Sequence, residues 1–383
     1  MTVTAARGFR AAGVAAGVSA AGGLDLALVV NDGPSDVAAG VFTSNRVQAA
    51  PVVWSRQVLG TGRLTAVVLN SGGANACTGP AGFADAHATA EKVAGVLGVG
   101  AVDVAVCSTG LIGERLPMDA VLTGVEKAAG ALSNTGGDAA SRAILTTDTV
   151  PKTAVRPGGG CTVGGMAKGA GMLAPGLATL LCVLTTDAAV GASTVDGVLR
   201  EATRLTFDRV DSDGCMSTND AVLLLASGAS GVAPSQAEFG AAVRDVCADL
   251  AMQLLADAEG ATKEVAIGVV GAASEDDAVA VGRAVARSAL LKCALHGADP
   301  NWGRVLAAVG TTSAAFDPAA LDVGINGVLV CRAGSAGEPR DLVDLSGRTV
   351  RIMIDLHAGG ETATVWTSDL SAGYVHENSA YSS

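Results

Sequence analysis

Residues 168–182 read KGAGMLAPGLATLLC, and this stretch joins a glycine-rich loop directly to an apolar run. Lys168, three glycines and Pro175 precede a single hydroxyl group, that of Thr179, after which the sequence is apolar. One interpretation is that Thr179 is the first residue of a buried strand. The other is that the loop presents Thr179 as a reactive group.

The second interpretation requires a base for the threonine. A hydroxyl is a weak nucleophile and needs a nearby proton acceptor. If the peptide bond between Ala178 and Thr179 were cut, Thr179 would gain an α-amino group with a pKa of about 7.7–8.0. This amine would lie a few bonds from the hydroxyl and accept its proton near neutral pH. The pattern alone leaves both interpretations open.

The same loop matches a dinucleotide-binding fingerprint only in part. Gly169, Gly171 and Ala174 have the spacing G-x-G-x-x-A. The fingerprint requires a preceding strand, a following helix and an acidic residue about 20 positions later. The predicted elements do not supply this context, because Pro175 interrupts the required helix. Nucleotide binding is therefore not predicted.

Metal sites and a serine-hydrolase motif are not predicted either. The segment DRVDSDG at 208–214 has three carboxylates, but the later acidic ligand of a calcium loop is missing. The four histidines are scattered, and neither HExxH nor GxSxG occurs in the chain. We expect no metal and interpret 208–214 as a solvated turn.

The composition narrows the class of protein. The 383 residues are 49% apolar but only 3% aromatic, so the core must be built from Ala, Val and Leu. The formal net charge is −12 and no Lys/Arg cluster occurs, which argues against a nucleic-acid partner. No run approaches the roughly 20 apolar residues of a membrane helix. Eight cysteines occur singly, which is typical of reduced thiols in a cytoplasmic protein.

The predicted elements alternate between strands and helices. Ser235 and Glu238 form a capping-box signature at the start of one helix, and another is predicted from about Ser274, with Gly297 as its stop. Breaks in organisation are expected at 156–176, at 212–220 and near Glu275. The predicted strands cover 25–30, 65–70, 102–108, 143–147, 180–186, 263–270, 304–310, 321–331 and 349–357. This alternation predicts an α/β or α+β fold.

Several long blocks resemble one enzyme family. GMAKGAGMLAPGLATLLCVLTTDA at 165–188 strongly resembles the self-cleaving segment of the ornithine acetyltransferases, the ArgJ family of arginine biosynthesis. Further blocks resemble that family in its order and span nearly the whole chain: DLALVVND, NSGGANACTG, CSTGLIGERLP, TTDTVPK, DSDGCMSTND, DAEGATK, GADPNWGR and ENSAYSS.

The resemblance implies a fold and a chain organisation. The fold would be an α/β/β/α-like sandwich of the self-cleaving ornithine acetyltransferase/DmpA type, with smaller α+β lobes near the C-terminus. Cleavage between Ala178 and Thr179 would leave an α chain of residues 1–178 and a β chain of residues 179–383. The β chain would contain sub-lobes at about 190–274 and 275–383. In this family two α and two β chains form a heterotetramer.

The resemblance also implies the reaction. Thr179 would take the acetyl group of N2-acetyl-L-ornithine, and L-glutamate would then accept it in a ping-pong sequence. No cofactor or metal is implied, and the family leaves open whether acetyl-CoA is a second donor. Thr109 and Gly110 match the oxyanion-hole pair of the family, although a strand-ending turn is the ordinary interpretation of these two residues.

The remaining implied site residues bind substrate. Lys168 would pair with the α-carboxylate as a flexible point charge, and Glu259 with the ornithine ammonium. The TTDT block contributes Thr147, with Thr146 as the alternative. Asn378 and Ser383 match the binding residues at the C-terminus of the family, which implies an ordered tail.

Two other functions remain as alternatives. An N-terminal-nucleophile amidase or aminopeptidase would use water in place of glutamate, and relatives with altered acyl preference belong to the same class. A protein that binds amino acids without catalysis would never cleave itself. Denaturing electrophoresis and acetyl transfer to glutamate separate these possibilities.

Overall fold

The computed structural model describes residues 2–174 and 180–380, so Ala178, Thr179 and Ser383 lie outside the described residues. The strands are β1 (Phe9–Val14), β2 (Leu26–Asn31), β3 (Val37–Phe42), β4 (Ala66–Asn70), β5 (Val104–Ser108), β6 (Lys152–Gly158), β7 (Cys161–Lys168), β8 (Leu181–Thr186), β9 (Ala221–Ala226), β10 (Glu264–Ala272), β11 (Asp322–Ile325), β12 (Val328–Arg332), β13 (Ser335–Ala336), β14 (Thr349–Asp355) and β15 (Glu361–Ser368). The α-helices are α1 (Ala50–Val58), α2 (Gly79–Leu97), α3 (Met118–Gly130), α4 (Gly137–Arg142), α5 (Ala192–Leu205), α6 (Gln236–Ala256), α7 (Glu275–Ala286), α8 (Ala289–His296), α9 (Trp302–Val309) and α10 (Ala372–Ala380).

Two sheets form the centre of the molecule. The first has the order β1-β2-β4-β5, and the second has the order β3-β9-β8-β7-β6. Strands β2, β4, β5, β8 and β9 are buried along their whole length, as expected for strands covered on both faces. Parallel strands β8 and β9 lie at the middle of the second sheet, with Leu181 opposite Ala221.

The two sheets pack face to face between two layers of helices. One apolar core contains Val29 and Val67 of the first sheet together with Val183 and Leu223 of the second. Helices α1, α2 and α3 contribute to this core, whereas α5 and α6 pack on the outer face of the second sheet. The layer order is therefore helix, sheet, sheet, helix, which confirms the predicted α/β/β/α sandwich.

The glycine-rich segment at 156–176 is not a linker, contrary to the prediction. Most of it belongs to the hairpin of β6 and β7. A Cβ atom on Gly164 would lie 2.4 Å from the carbonyl oxygen of Thr2 in the N-terminal segment, and one on Gly165 would lie 3.0 Å from Leu250 Cδ1 of helix α6. Glycine is required at these positions because neighbouring parts of the fold approach the strand closely. The resulting glycine-rich sequence resembles that of a loop, which explains the wrong prediction.

A third sheet forms the C-terminal lobe, in the order β13-β12-β11-β14-β10-β15. In β10, Val265, Ile267 and Val269 are buried and alternate with less buried residues. The buried face packs against α7, α8 and α9. After β15, helix α10 returns to the sandwich.

Two predicted strands are wrong. The run 304–310 lies mostly in helix α9, where Val305, Ala308 and Val309 are buried at three- and four-residue spacing. The run 143–147 is irregular: Ala143 and Ile144 enter the core, and the two threonines that follow turn toward the site. Short apolar runs do not distinguish helix, strand and anchored loop by periodicity alone.

The helix starts are largely as predicted. Ser235 and Glu238 form the predicted capping box of α6, and Ser274 caps α7. The single helix expected from about Ser274 to a stop at Gly297 does end there, but it is divided into α7 and α8, because Ser288 caps a second helix through Leu291 N–H. A serine side chain that accepts a backbone N–H favours a new helix start over continuation.

All eight cysteines are free thiols, and five of them are buried. Burial raises the pKa of the Cys107 thiol to about 12, which keeps it protonated and unreactive. These findings agree with the reduced, mostly buried thiols predicted from the sequence. Among the described residues, no helix is both long and apolar enough to cross a membrane.

Candidate active site

A pocket of about 390 Å³ lies where the loops that follow β5 and β7 meet the loop that precedes β9. Helix α10 closes one side of it. The pocket is lined by Ala74, Thr109, Gly110, Ile112, Thr146, Thr147, Lys168, Gly171, Met172, Asp213, Cys215, Ser217, Thr218, Asn219, Glu259, Tyr374, Glu377 and Asn378. Its volume is suited to a small molecule of amino-acid size.

The turn after β5 is held rigidly. Thr109 N–H donates to Asn70 O at 3.0 Å, and Asn219 Nδ2 donates to Ser108 O at 2.8 Å. Gly110 has φ +132°, and a Cβ atom there would lie 2.5 Å from Gly73 N. Glycine is therefore required at 110, and the turn offers the preorganised kind of donor group that stabilises an oxyanion.

Lys168, at the end of β7, is the buried cation of the pocket. Its side chain is only 1% exposed, so the predicted flexible point charge is instead a fixed one. The Nζ atom donates to Thr146 Oγ1 at 2.6 Å and to Thr109 Oγ1 at 3.3 Å. Burial lowers the pKa of Lys168, and the nearby carboxylate of Asp148 opposes this effect.

Asp148 is a buried carboxylate of the TTDT block that the sequence analysis missed as a site residue. Its Oδ1 accepts from Gly169 N–H at 2.6 Å and from Lys152 Nζ at 2.5 Å. Its Oδ2 accepts from Thr146 N–H at 3.2 Å and lies 3.7 Å from Lys168 Nζ. Burial raises the pKa of Asp148, but Lys168, Lys152 and Gly169 N–H together hold it below the ordinary value.

Asp220 is a second missed carboxylate. It is fully buried immediately before β9, and its Oδ1 accepts from Leu180 N–H at 3.0 Å. Among the described residues no hydrogen bond reaches its Oδ2 with good geometry, although the side chains of Ser217 and Thr43 are close enough to lower its pKa in part. Burial raises the pKa of Asp220 well above the ordinary value, so the group favours the neutral acid. Leu180 directly follows Thr179 in the chain, which links Asp220 to the predicted nucleophile.

The opposite wall of the pocket is acidic. Glu259 follows α6, and its Oε2 accepts from Asn378 Nδ2 at 2.9 Å. Asp213 accepts from Met172 N–H at 2.7 Å. Burial is the main cause that raises the pKa of Tyr374 to about 12, and the negative charge of Asp213 adds to it. The phenol therefore stays protonated and can donate a hydrogen bond. A cationic group is favoured along this wall.

The predicted site residues within the described part of the chain converge on this pocket. Thr109, Gly110, Lys168 and Glu259 line it, as do Asn378 and both threonines of the TTDT block. The predicted cleavage site at Ala178 and Thr179 and the terminal Ser383 lie outside the described residues. The GADPNWGR block does not line the pocket, and its Trp302 packs against the core of the C-terminal lobe.

The acidic residues were missed for a physical reason. TTDTVPK and DSDGCMSTND contain several carboxylates, and sequence does not reveal which of them is buried beside a backbone N–H. A usable signal was present for Asp148, because Lys152 is four residues later and Lys168 begins the glycine loop. Two lysines in apolar surroundings require a buried counter-charge.

The α/β/β/α sandwich, with a rigid glycine turn beside a buried ammonium, has the features of an enzyme that transfers acyl groups between small molecules. The ArgJ family model matches residues 10–383, and this chain belongs to the ArgJ family. The resemblance predicted from the sequence blocks is therefore confirmed.

Named relatives agree with this assignment. The arginine biosynthesis bifunctional protein ArgJ of Streptomyces coelicolor is 67% identical over 100% of both chains. The protein of the same name from Mycobacterium tuberculosis is 59% identical over 100% of this chain and 96% of its own. A solved structure of ornithine acetyltransferase complexed with ornithine, also from Mycobacterium tuberculosis, is 58% identical and covers 47% of this chain and 96% of its own, with a TM-score of 0.43.

Proposed function

We propose that this chain is a glutamate N-acetyltransferase that moves the acetyl group of N2-acetyl-L-ornithine to L-glutamate. The observation that carries the proposal is the pocket, which combines an oxyanion-type turn, a buried ammonium and a carboxylate wall. A family relative solved with ornithine gives independent support for the substrate class.

The charges of the pocket match those of the donor. Lys168 would receive the α-carboxylate, and Glu259 would receive the ammonium of the ornithine side chain. Asn378 donates to Glu259, which fixes the carboxylate while leaving acceptor capacity for the substrate. Thr146 and Thr147 both line the pocket, but Thr146 Oγ1 already accepts a hydrogen bond from Lys168 Nζ. This difference supports Thr147 as the substrate contact and Thr146 as a support for the lysine.

Thr179 is the proposed nucleophile. Its Oγ attacks the acetyl carbonyl carbon, and its own α-amino group takes the hydroxyl proton. The C–N bond of the donor then breaks, the proton passes to the departing amine, and ornithine leaves behind an acetyl-threonine ester. The amine of glutamate attacks this ester in the reverse sequence, which releases N-acetylglutamate and restores the hydroxyl and amine.

The contact between Lys168 and Thr109 determines the direction in which the Thr109 hydroxyl can donate a hydrogen bond. A lysine ammonium has only donors, so Thr109 Oγ1 accepts in that contact. The hydroxyl proton of Thr109 is then available for the developing oxyanion, beside the Gly110 N–H. Preorganised donors of this kind contribute several kcal/mol to transition-state stabilisation, roughly 3–4 kcal/mol for one donor.

The mature form is part of the proposal. Cleavage between Ala178 and Thr179 would yield chains of residues 1–178 and 179–383, assembled as a heterotetramer of two α and two β chains. The mechanism uses no cofactor or metal, and acetyl-CoA is a second donor to be tested. The free thiols agree with a cytoplasmic enzyme.

The function is tested by incubating the purified protein with N-acetylornithine and glutamate. We expect N-acetylglutamate and ornithine in equal amounts, and no transfer by Thr179→Ala. Thr179→Ser, which retains a hydroxyl, is the matched control and should keep part of the activity. Acetate release that does not depend on glutamate would contradict the proposal and favour an amidase, and a parallel reaction with acetyl-CoA measures the second donor.

A further inference from the structure

Asp148 contacts two of the groups that surround Lys168, and its carboxylate lies 3.7 Å from the lysine Nζ itself. One carboxylate oxygen holds Gly169 N–H, which directly follows Lys168, and the other holds Thr146 N–H. The side chain of Thr146 in turn accepts from Lys168 Nζ. Asp148 therefore holds the backbone beside Lys168 and also the backbone of Thr146, whose hydroxyl accepts a hydrogen bond from Lys168 Nζ.

The Asp148 carboxylate also forms an ion pair with Lys152, on the side away from the pocket. Lys152 Nζ bonds to Asp148 Oδ1 and also to Asp257 Oδ2, and the Lys152 and Asp148 side chains have 0% exposure. Thr149 N–H also donates to Asp257 Oδ2, at 2.9 Å. The resulting order is Asp257, Lys152, Asp148, Lys168, with alternating charges in a water-excluded place where such interactions are strong.

We propose that Asp148 is the positioning residue of this site: its carboxylate keeps Lys168 charged and aimed at Thr109, so that the lysine recognises the α-carboxylate of the substrate. This inference rests on the proposed function. It assigns Asp148 a role through Lys168, since Asp148 itself does not line the pocket.

Because the charges alternate, removing Asp148 and removing Lys152 should shift the pKa of Lys168 in opposite directions. A purely structural role for these ion pairs would not produce opposite shifts. Removing the Asp148 charge withdraws a stabilising anion from Lys168, so the lysine loses its proton at lower pH. Removing the Lys152 charge withdraws a repelling cation, so Lys168 keeps its proton to higher pH. The other charged groups that face Lys168 are unchanged in both variants, namely Asp220 and the pocket carboxylates Asp213, Glu259 and Glu377.

The test is the pH dependence of kcat/KM for N-acetylornithine between about pH 7 and 10, in the range where a lysine with a lowered pKa titrates. Variants Asp148→Asn and Lys152→Met remove one charge each and approximately preserve shape. We expect the basic limb of the profile to move to lower pH in Asp148→Asn and to higher pH in Lys152→Met. KM in Asp148→Asn should rise about tenfold or more, with a smaller change in kcat.

Asp257→Asn is the matched control. It breaks an ion pair of the same buried network without touching Lys168, so its basic limb should stay near that of the wild type. The substrate ammonium titrates equally in all variants and cancels from the comparison. Calorimetric binding of ornithine at several pH values repeats the test without turnover.

The outcomes are separable. If the limb of Asp148→Asn does not move, or if Asp148→Asn and Lys152→Met move it in the same direction, the inference is wrong. If Asp148→Asn fails to fold, the upward shift in Lys152→Met decides the question, and an unmoved limb overturns the inference. If the wild type makes no N-acetylglutamate, the proposed function fails instead.

Discussion

At the scale of single residues, backbone conformation and charge burial decide what the pocket does. Gly110 has a left-handed φ and no space for a side chain, so its N–H is fixed in direction. Thr109 is only 3% exposed and is polarised by a lysine. These two donors lie on one turn, and that turn is held by Asn219 from a different strand connection.

Removing the Thr109 hydroxyl tests its role as an oxyanion donor. Thr109→Val retains the shape but removes the donor, and kcat should fall about 100- to 1,000-fold. Ornithine binding, measured by calorimetry, should fall far less than kcat, because the oxyanion exists only during reaction and Lys168 keeps its shorter hydrogen bond to Thr146 when the one to Thr109 is lost. Thr109→Ser is the matched control and should retain most of kcat. An equal loss of binding and kcat in Thr109→Val would contradict this role.

Gly110→Ala should damage both stability and turnover. The added Cβ would lie 2.5 Å from Gly73 N and 2.6 Å from Gly72 C, on a residue with φ +132°. We expect a loss of roughly 1–3 kcal/mol in the free energy of unfolding, measured by denaturant titration, together with a large loss of kcat. An alanine variant with wild-type stability would show that the turn is less constrained than described.

Asp220 gives a pH-dependent prediction. Burial raises its pKa in the folded state, so the stability that it contributes is fully present below its unfolded pKa of about 3.9 and is lost as the pH rises toward the raised folded value. Asp220→Asn, which stays neutral and can still accept from Leu180 N–H, should match the wild-type Tm at low pH and exceed it at neutral pH. Thermal melts from pH 4 to 8 check this. A constant difference in Tm at all pH values would contradict the buried neutral acid.

At the scale of elements, helix α10 forms one side of the pocket. It packs against Gly260, where a Cβ atom would lie 2.1 Å from Tyr374 N, and Ser371 Oγ donates to Gly260 O at 2.5 Å. The tail predicted to be ordered is therefore helical up to Ala380. Its Asn378 contacts Glu259, so the position of α10 sets the position of that carboxylate.

Displacing α10 should weaken substrate binding. Gly260→Ala places a methyl group against the helix backbone, and KM for N-acetylornithine should rise about tenfold with a smaller effect on kcat. Gly197→Ala, in an open position of α5 where a Cβ meets nothing within 4 Å, is the control and should leave KM unchanged. Kinetics of both variants check this, and a normal KM in Gly260→Ala would contradict the role of α10.

Much of the fold was predictable from sequence, and the failures share a cause. Strands such as β4, β5 and β8 are rich in β-branched and aliphatic residues, which favour a buried strand. Strand β7 was missed because Gly164 and Gly165 are required by close tertiary packing. Such packing involves residues distant in sequence, so it is not visible in the local sequence pattern. The pocket residues Thr109, Lys168 and Glu259 followed from family motifs, whereas Asp148 and Asp220 depend on burial that only the assembled sheets create.

At the scale of the whole molecule, the pocket unites the two sides of the predicted cleavage point. Thr109 and Lys168 precede residue 178, whereas Glu259 and Asn378 follow it. Strand β7 pairs with β8 across this point, with Lys168 opposite Leu181, and both strands lie in the middle of a five-stranded sheet. This continuous ladder and the shared core would keep two separate chains in one folded unit.

The most direct test of the account is intact mass combined with N-terminal sequencing of the purified protein. The account predicts two chains that copurify, one of which begins at Thr179, and a single chain in Thr179→Ala. A single uninterrupted polypeptide of 383 residues that still transfers acetyl to glutamate at full rate would contradict it.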